Sequence, residues 1–389
     1  MTKITNHRSM VQSLFGVVNR WTRSLLERSG AGRSRTPSGN LDCRLLARKI
    51  TSSDGTEGWV EQRIQKDFAA YLPYHFSQAA LREGLNSLEC LAAISIQGGT
   101  VELIHSRDPL LHPRELVVLE AFSELIAKHP LPNALITFLA HDSLYTPAGA
   151  ASPAQPDIAI CTFGKPAGKP GLLIPDFEAL SGYANLAGAV ESAENKLRWN
   201  EKIAMAIWRG TTTGGIYEES TWQEVPRAKL VRAALRFPTL IDAKFTEVAQ
   251  SSDPEWLRSE LSRQNLLGLP LSIPQMCRYK YVVDVDGNAC SYSRMYWCLL
   301  SRSCLLKVAS SNIQWYYGLL DPYVNYIPIQ VGLEDLPTVF DWLQTHDKEA
   351  EVIAQRATHL AETELSREAC LAYLYVLTHR WAGRQAQPT

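Results

Sequence analysis

The sequence predicts an α/β protein in which helices cover a doubly wound parallel sheet, and three observations carry that reading. Short apolar runs bounded by polar turns alternate with longer segments of helical periodicity. In the second half the alternation runs strand, helix, strand in regular succession. The 389 residues also exceed what one hydrophobic core usually spans, so two domains are expected, of roughly 150 to 200 residues each, with a ligand in the cleft between them.

Residues 1–40 stand apart. Lys3, Arg8, Arg20, Arg23, Arg28, Arg33 and Arg35 face the single acid Glu27, and Val11, Leu14, Phe15, Val18, Trp21 and Leu25 recur at helical spacing. Such a basic amphipathic helix either touches an anionic membrane surface or docks on its own domain. "SGAGRSRTPSGN" then reads as a linker. From 41 to 195, "RELVVLEAFSELIAKH" is a helix, followed by the strands "ALITFLA", "DIAICTF" and "GLLIP". From 196 to 345 the order is strand "AMAIWRG", helix "RAKLVRAALRF", strand "TLIDAKF", strand "YKYVVDVDG", helix "YSRMYWCLLSRS", and strands "CLLKVA" and "VNYIPIQ". In such a sheet the loops at the strands' carboxyl ends hold the ligand, so those after Gly210 and Gly287 should lie side by side. Residues 346–389 read as helices closing the chain.

Composition narrows the function. A net charge of -1 excludes a protein that coats nucleic acid, so any basic site must be local. The eight cysteines (Cys43, Cys90, Cys161, Cys277, Cys290, Cys298, Cys304, Cys370) form no CxxC pair and sit mostly among apolar neighbours, as buried thiols do in a reducing compartment. No apolar run is long enough to span a membrane, and Asn19, Arg20 and Arg23 interrupt what would be a signal peptide's core. A cytoplasmic protein is expected, in peripheral contact with the membrane's inner face if the basic helix binds it.

Three stretches could carry chemistry. In "AIWRGTTTGG", Arg209 and the hydroxyls of Thr211, Thr212 and Thr213 leave a strand where Gly214 and Gly215 let backbone amides approach, which suits an anion or a plain turn. No Gly-Lys-Ser/Thr follows, so it is not a Walker loop. In "VDVDGNACSYSR", Asp284, Asp286 and Asn288 offer oxygens to a divalent metal, but the glycine comes too early for an EF-hand and the twelfth position holds no acid. The alternative makes Asp284 part of the strand and Ser291 the cap of a helix whose open amides, beside Tyr292, Ser293 and Arg294, favour an anion. In "LITFLAHDSLY", Asp142 follows an apolar strand beside His141, as a general base or as a loop acid. His75, His112 and His129 lack metal-ligand spacing. "WYYGLLDPYVNYIP" either stacks a ring or fills the core.

The order of these motifs from about Ala134 to Leu336 resembles glycosyltransferase family 90, which includes protein O-glucosyltransferases, capsule xylosyltransferases and bacterial lipopolysaccharide-modifying relatives. "AIWRGTTTG" is similar to its aromatic-Arg-Gly-Ser/Thr motif, and "RAKLVRAALRFPTLIDAKFT" to its Arg-led helix ending in a Pro-x-Leu-Val-Asp-Ala strand. "YKYVVDVDGNACSYS" is similar to its Lys-Tyr…Asp-Gly…Ser-aromatic motif, and "CLLKV" and "NYIPI" to the strands that follow. Two positions depart: Ser293 intervenes between the aromatic residue and Arg294, and Asn325 replaces a frequent histidine.

The resemblance implies a B-type glycosyltransferase fold, two Rossmann-like domains facing a cleft, and transfer with inversion from a UDP-sugar, glucose or xylose, to a glycan or protein acceptor such as a lipopolysaccharide-core sugar. It implies Asp142 as the base. Arg209, Gly210, Thr211, Thr212, Arg227, Ser291, Tyr292, Ser293 and Arg294 bind the nucleotide sugar, and Pro175, Asp176 and Phe177 lie on the sugar or acceptor side. Arginines replace an obligatory metal, no cofactor is held tightly, and nucleic acid is not a partner. Two rivals are a catalytically silent nucleotide-binding protein of this fold and a metal-dependent transferase using Asp284 and Asp286.

Overall fold

A computed structural model describes residues 58–70, 76–86, 91–104, 113–145, 158–191 and 197–385. The basic N-terminal helix, its linker, Cys43, Cys90, His75 and His112 lie outside the described residues. Two units divide the chain, residues 1–42 and 43–389, and every described residue belongs to the second.

The chain enters through α1 (Trp59–Ala70) and α2 (Gln78–Leu85). A first sheet follows: β1 (Leu91–Gln97), β2 (Thr100–Ile104), β3 (Ala134–Leu139), β4 (Cys161–Thr162) and, past the short β5 (Lys165–Pro166), β6 (Leu172–Leu173). Its order is β2-β1-β3-β4-β6. α3 (Pro113–Lys128) crosses between β2 and β3, and α4 (Phe177–Leu180) and α5 (Ala184–Val190) follow β6. This sheet is mixed, because β1 pairs antiparallel with both β2 and β3 while β3, β4 and β6 run parallel. The Rossmann-like expectation is corrected here by a hairpin that turns on Gly98 and Gly99, at φ +55° and +81°. Two successive positive-φ residues are what a two-residue hairpin needs, and glycine adopts them without a Cβ clash.

The second sheet holds β7 (Ile203–Thr211), β8 (Ile241–Glu247), β9 (Tyr279–Asp284), β10 (Cys304–Val308) and, after the two-residue β11 (Asn312–Ile313), β12 (Ile327–Ile329). Its order is β12-β10-β9-β7-β8 and every pairing is parallel, the doubly wound sheet expected. In chain order that is 5-4-3-1-2, so strand order reverses between β7 and β9, where such sheets open a crevice. α6 (Pro226–Arg236) begins on a proline preset for the first turn and buries Ala228, Leu230, Val231 and Ala234 at helical spacing. α7 (Pro254–Arg263), α8 (Ile273–Met276) and α9 (Ser293–Leu300) complete the connections. Strands β9 and β10 are almost wholly buried, as a parallel sheet covered on both faces requires. Trp315 and Tyr316 are fully buried, so the head of the aromatic run is core, while Tyr323 and Val324 further along it are exposed.

Three helices end the described chain: α10 (Leu336–Thr345), α11 (Asp347–Glu364) and α12 (Arg367–Gln385). The last returns to the first sheet, where Trp381 Nε1 donates to the Leu135 carbonyl (2.8 Å) and the Tyr373 hydroxyl to that of Leu173 (2.8 Å). Cys161, Cys277, Cys290, Cys298, Cys304 and Cys370 are buried free thiols. No helix among the described residues is long and apolar enough to cross a membrane.

Candidate active site

The crevice is built first from glycines. A Cβ on Gly210 would stand 2.5 Å from the indole of the fully buried Trp208, so glycine alone fits there. The β7–β8 register slips between Gly210 and Thr211, a bulge that re-aims the strand end. Gly214 (φ +94°) lies so close to the next loop that a Cβ would sit 3.1 Å from the Gly287 carbonyl, and its N–H donates to Asn288 Oδ1 (3.1 Å). The loops after Gly210 and Gly287 are therefore adjacent, as expected from the strand ends.

Arg227, at the start of α6, ties them together. Its Nε donates to the Asp286 carbonyl (3.0 Å), and its Nη1 to the Thr211 carbonyl (3.1 Å) and Thr213 Oγ1 (2.6 Å). Nη2 has no partner among the described residues. Burial, and then the charge of Arg294, pull the Arg227 pKa down from 12.5 to about 10. Arg294, in the first turn of α9, gives Nη2 to the Arg209 carbonyl, and its own pKa is also lowered, chiefly by burial. Both guanidinium carbons lie over the Trp208 indole, at 5.7 Å for Arg227 and 5.4 Å for Arg294. Ser293's insertion thus leaves Arg294 at the crevice. Two mutually repelling, desolvated cations, each with unused donors, make a place whose electrostatic cost an anion offsets. Thr211 is half-buried at the strand end, and its hydroxyl has no partner among the described residues.

Other expected binding residues serve the scaffold. Arg209 forms a bidentate pair with Asp242 on β8 (Nη1–Oδ1 2.9 Å, Nη2–Oδ2 2.7 Å) and donates Nε to the Leu269 carbonyl (3.2 Å), which shapes the strand end rather than facing a ligand. Thr212 is fully buried, and its Oγ1 accepts from the Ala249 N–H (2.8 Å), pinning the loop to the segment after β8. Ser291 does not cap α9: its hydroxyl donates to Asp284, and the cap position falls to Tyr292, at φ +25° without a side-chain cap. The start of α9 therefore has no side-chain cap, and the Arg294 N–H is taken by the Ser291 carbonyl (2.8 Å).

Asp284 and Asp286 face Lys307, whose Nζ lies 2.9 Å from Asp284 Oδ2 and 3.9 Å from Asp286 Oδ1. Burial disfavours that ammonium, but the two carboxylates outweigh burial and raise its pKa. Ser310 and Asn312 donate to Asp286 Oδ2 at 2.5 and 3.1 Å. Asp284 is engaged by Lys307 and Ser291, whereas Asp286 Oδ1 is buried without a hydrogen-bond partner and meets only the 3.9 Å ion pair; no group of three or more His, Cys, Asp or Glu is disposed to hold a metal among the described residues. A lysine inside the apolar strand "CLLKV" was the signal that could have found this pair, since a buried lysine needs a partner.

Asp142 leaves the buried strand β3, its side chain about a third exposed (36%). Arg114 Nη1 pairs with its Oδ1 at 2.9 Å. The Tyr292 hydroxyl donates to the Asp142 backbone carbonyl, so the residue at the head of α9 also holds the loop of the acid. Tyr292 is buried and acts as this tie, not as a wall of the crevice. Phe177 packs beneath both, 4.1 Å from the Arg114 guanidinium and 5.3 Å from the Tyr292 ring. Pro175 and Asp176 are buried instead. Asp176 caps α4 through the Glu178 N–H (2.9 Å) and accepts from the Tyr296 hydroxyl (2.6 Å); burial raises its pKa to about 6 despite those bonds. Glu178 rises to about 7, through burial and then Asp176, with Arg114 opposing. Arg114 stands 28 positions before Asp142, and nothing in the sequence pattern pairs them.

Comparison with known proteins agrees with the motif order. Residues 174–388, more than half of the chain, match the model of Glycosyl transferase family 90. Protein O-glucosyltransferase 3 of Homo sapiens is 30% identical over 48% of this chain and 34% of its own length. Protein O-glucosyltransferase 2 of Danio rerio is 28% identical over 48% and 34%. Uncharacterized protein 035R of Invertebrate iridescent virus 3 is 31% identical over 49% of this chain and 18% of that one. The matched part thus spans about a third or less of these relatives. Among solved structures, Anabaena Alr3699/HepE in complex with UDP-glucose aligns with a TM-score of 0.32 at 15% identity, over 51% of this chain and 54% of that one. The family model takes in the Arg-Gly-Thr strand end, the Arg227 helix and the Ser-Tyr-Ser-Arg turn that together build the crevice, and on that match the chain belongs to glycosyltransferase family 90.

Proposed function

We propose that the chain is an inverting glycosyltransferase of B-type fold that moves a sugar, glucose or xylose, from a UDP-sugar to the hydroxyl of a glycan or protein acceptor. The observation that carries this reading is that two functions meet at the head of one helix, α9. Arg227 and Arg294 hold uncommitted donors at the switch point, and a part-exposed carboxylate, Asp142, is tied to the same helix head through Tyr292.

Each step has its group. The diphosphate sits against Arg227, Arg294 and the Thr211 hydroxyl. The acceptor hydroxyl gives its proton to Asp142 as its oxygen attacks the anomeric carbon. The bond from that carbon to the phosphate oxygen breaks, and the electron pair leaves with UDP. The arginines stabilise the charge growing on the leaving oxygen, the role a metal would otherwise fill. The engagement of Asp284 by Lys307 and Ser291 supports a metal-independent reaction. The names of the matched O-glucosyltransferases support glucose as donor.

The test is UDP release from candidate UDP-sugars with glycan and protein acceptors. Asp142→Asn should cut turnover by about 10² to 10⁴-fold while UDP still binds. Full turnover in that variant would remove Asp142 from the role of base. UDP binding by the parent protein without turnover on any donor or acceptor would mark a silent binding protein.

A further inference from the structure

The carboxylate proposed as base does not stand alone. Arg114 is the second residue of α3, and one nitrogen of its guanidinium, Nη1, reaches both sides of His141: it donates to the Ala140 carbonyl (3.2 Å) and pairs with Asp142 Oδ1 (2.9 Å). The side chain is itself held. Its guanidinium carbon lies over the Phe177 ring, 4.1 Å from the ring centre, a cation–π contact that arginine makes more often than lysine. Phe177 in turn packs against Tyr292, whose hydroxyl holds the Asp142 backbone carbonyl. The acid is therefore gripped at two points by residues that share one aromatic floor. The nearest contact of the ion pair falls on Oδ1.

We infer that Arg114 is a positioning residue for this transferase: by holding Asp142 Oδ1, it selects Oδ2 as the oxygen that receives the acceptor's proton and fixes where that oxygen stands. The inference rests on the reading of Asp142 as base. Arg114 acts through Asp142 and touches neither the leaving group nor the nucleotide, which belong to Arg227 and Arg294. A base misplaced by about an ångström loses on the order of 10²-fold in rate without weakening donor binding. A second carboxylate, Glu178, follows Phe177 in α4 and also feels the charge of Arg114.

The experiment compares Arg114→Ala, Arg114→Gln, Arg114→Lys, Asp142→Asn and the double variant Arg114→Ala/Asp142→Asn by steady-state kinetics, with UDP affinity measured by calorimetry. Expected is a fall in kcat of about 10²-fold for Arg114→Ala and Arg114→Gln, with donor KM and UDP Kd within about twofold of the parent. Arg114→Lys should recover part of the loss, because an ammonium can reach Oδ1 but is less suited to the face of Phe177. The double variant should be no slower than Asp142→Asn alone, as required of a residue that works only through the acid. Arg114→Gln keeps much of the side chain's volume, so it answers the question should the alanine variant fold poorly. Near-parental kcat in Arg114→Gln beside an inactive Asp142→Asn would overturn the inference and leave the base standing. So would losses that multiply in the double variant. Full turnover in Asp142→Asn would instead overturn the base assignment, and the inference with it.

Discussion

Replacing Arg227 by alanine removes one side chain that both builds the crevice and faces it, and the two effects can be sized separately. Three bonds from a charged donor are lost, to the Thr211 carbonyl, Thr213 Oγ1 and the Asp286 carbonyl. At about 1.5 to 3 kcal/mol each, the gross loss is about 5 to 9 kcal/mol. Part of it is offset, because the buried guanidinium is already penalised: a pKa moved from 12.5 to about 10 corresponds to about 3 kcal/mol against the charged form. The net expectation is a loss of about 2 to 6 kcal/mol in urea-unfolding free energy. The free Nη2 adds a charge-assisted bond to a bound diphosphate, so UDP affinity should fall by about 10- to 100-fold by calorimetry. Arg227→Lys keeps the charge and loses the fork, and should fall between the parent and alanine in both measurements. A destabilised alanine variant that binds UDP within twofold of the parent would refute the diphosphate contact. Unchanged stability would refute the view that Arg227 joins the two loops.

The Thr211 hydroxyl is the complementary case, since it has no partner among the described residues: Thr211→Val should leave stability within about 0.5 kcal/mol and weaken UDP by about 3- to 10-fold, and unaltered UDP affinity would remove Thr211 from the site. Asp176 gives a pH prediction. Its pKa rises from 3.8 to about 6 in the fold through burial, so in the window between those values the folded protein keeps a proton that the unfolded chain has lost. Its contribution to stability is complete below pH 3.8, is lost as pH rises to about 6, and totals on the order of 3 kcal/mol. Asparagine does not titrate, so Asp176→Asn should gain stability relative to the parent by that amount between pH 4 and pH 7, measured as paired urea midpoints. A difference that stays flat across that range would show that burial does not govern this carboxyl.

Much of the second sheet was legible because its strands are continuous apolar runs punctuated by glycine and by proline-led helices, signals that act over a few residues. The adjacency of the loops after Gly210 and Gly287 followed from the general rule for parallel sheets, and it is Gly214 that meets Gly287. The first sheet was harder. Its β1–β2 hairpin carries the pair Gly98-Gly99, a turn signal passed over because helix and strand alternate elsewhere. Inside the site, residue type predicted chemistry better than assignment. Arginine after a strand suggested an anion, yet Arg209 serves Asp242, and the cations left with free donors are Arg227 and Arg294. Ser291 had the sequence of a helix cap, but Asp284, seven residues earlier on the neighbouring strand, takes its hydroxyl.

The sequence by itself determined the α/β alternation, the parallel second sheet, the strand ends at which a ligand would collect, and the family through the order of its motifs. These depend on local backbone preference and on hydrophobic period, which neighbouring residues set among themselves. Only the tertiary structure decided which polar groups are already satisfied and which remain open. Lys307 closes Asp284 but leaves Asp286 Oδ1 without a hydrogen bond, Asp242 closes Arg209, and Arg114 and Tyr292 hold Asp142 from 28 and 150 positions away in the chain. Hydrogen bonds and ion pairs form wherever folding brings donors and acceptors together, and the desolvation that sets their strength exists only once the surrounding surface is buried.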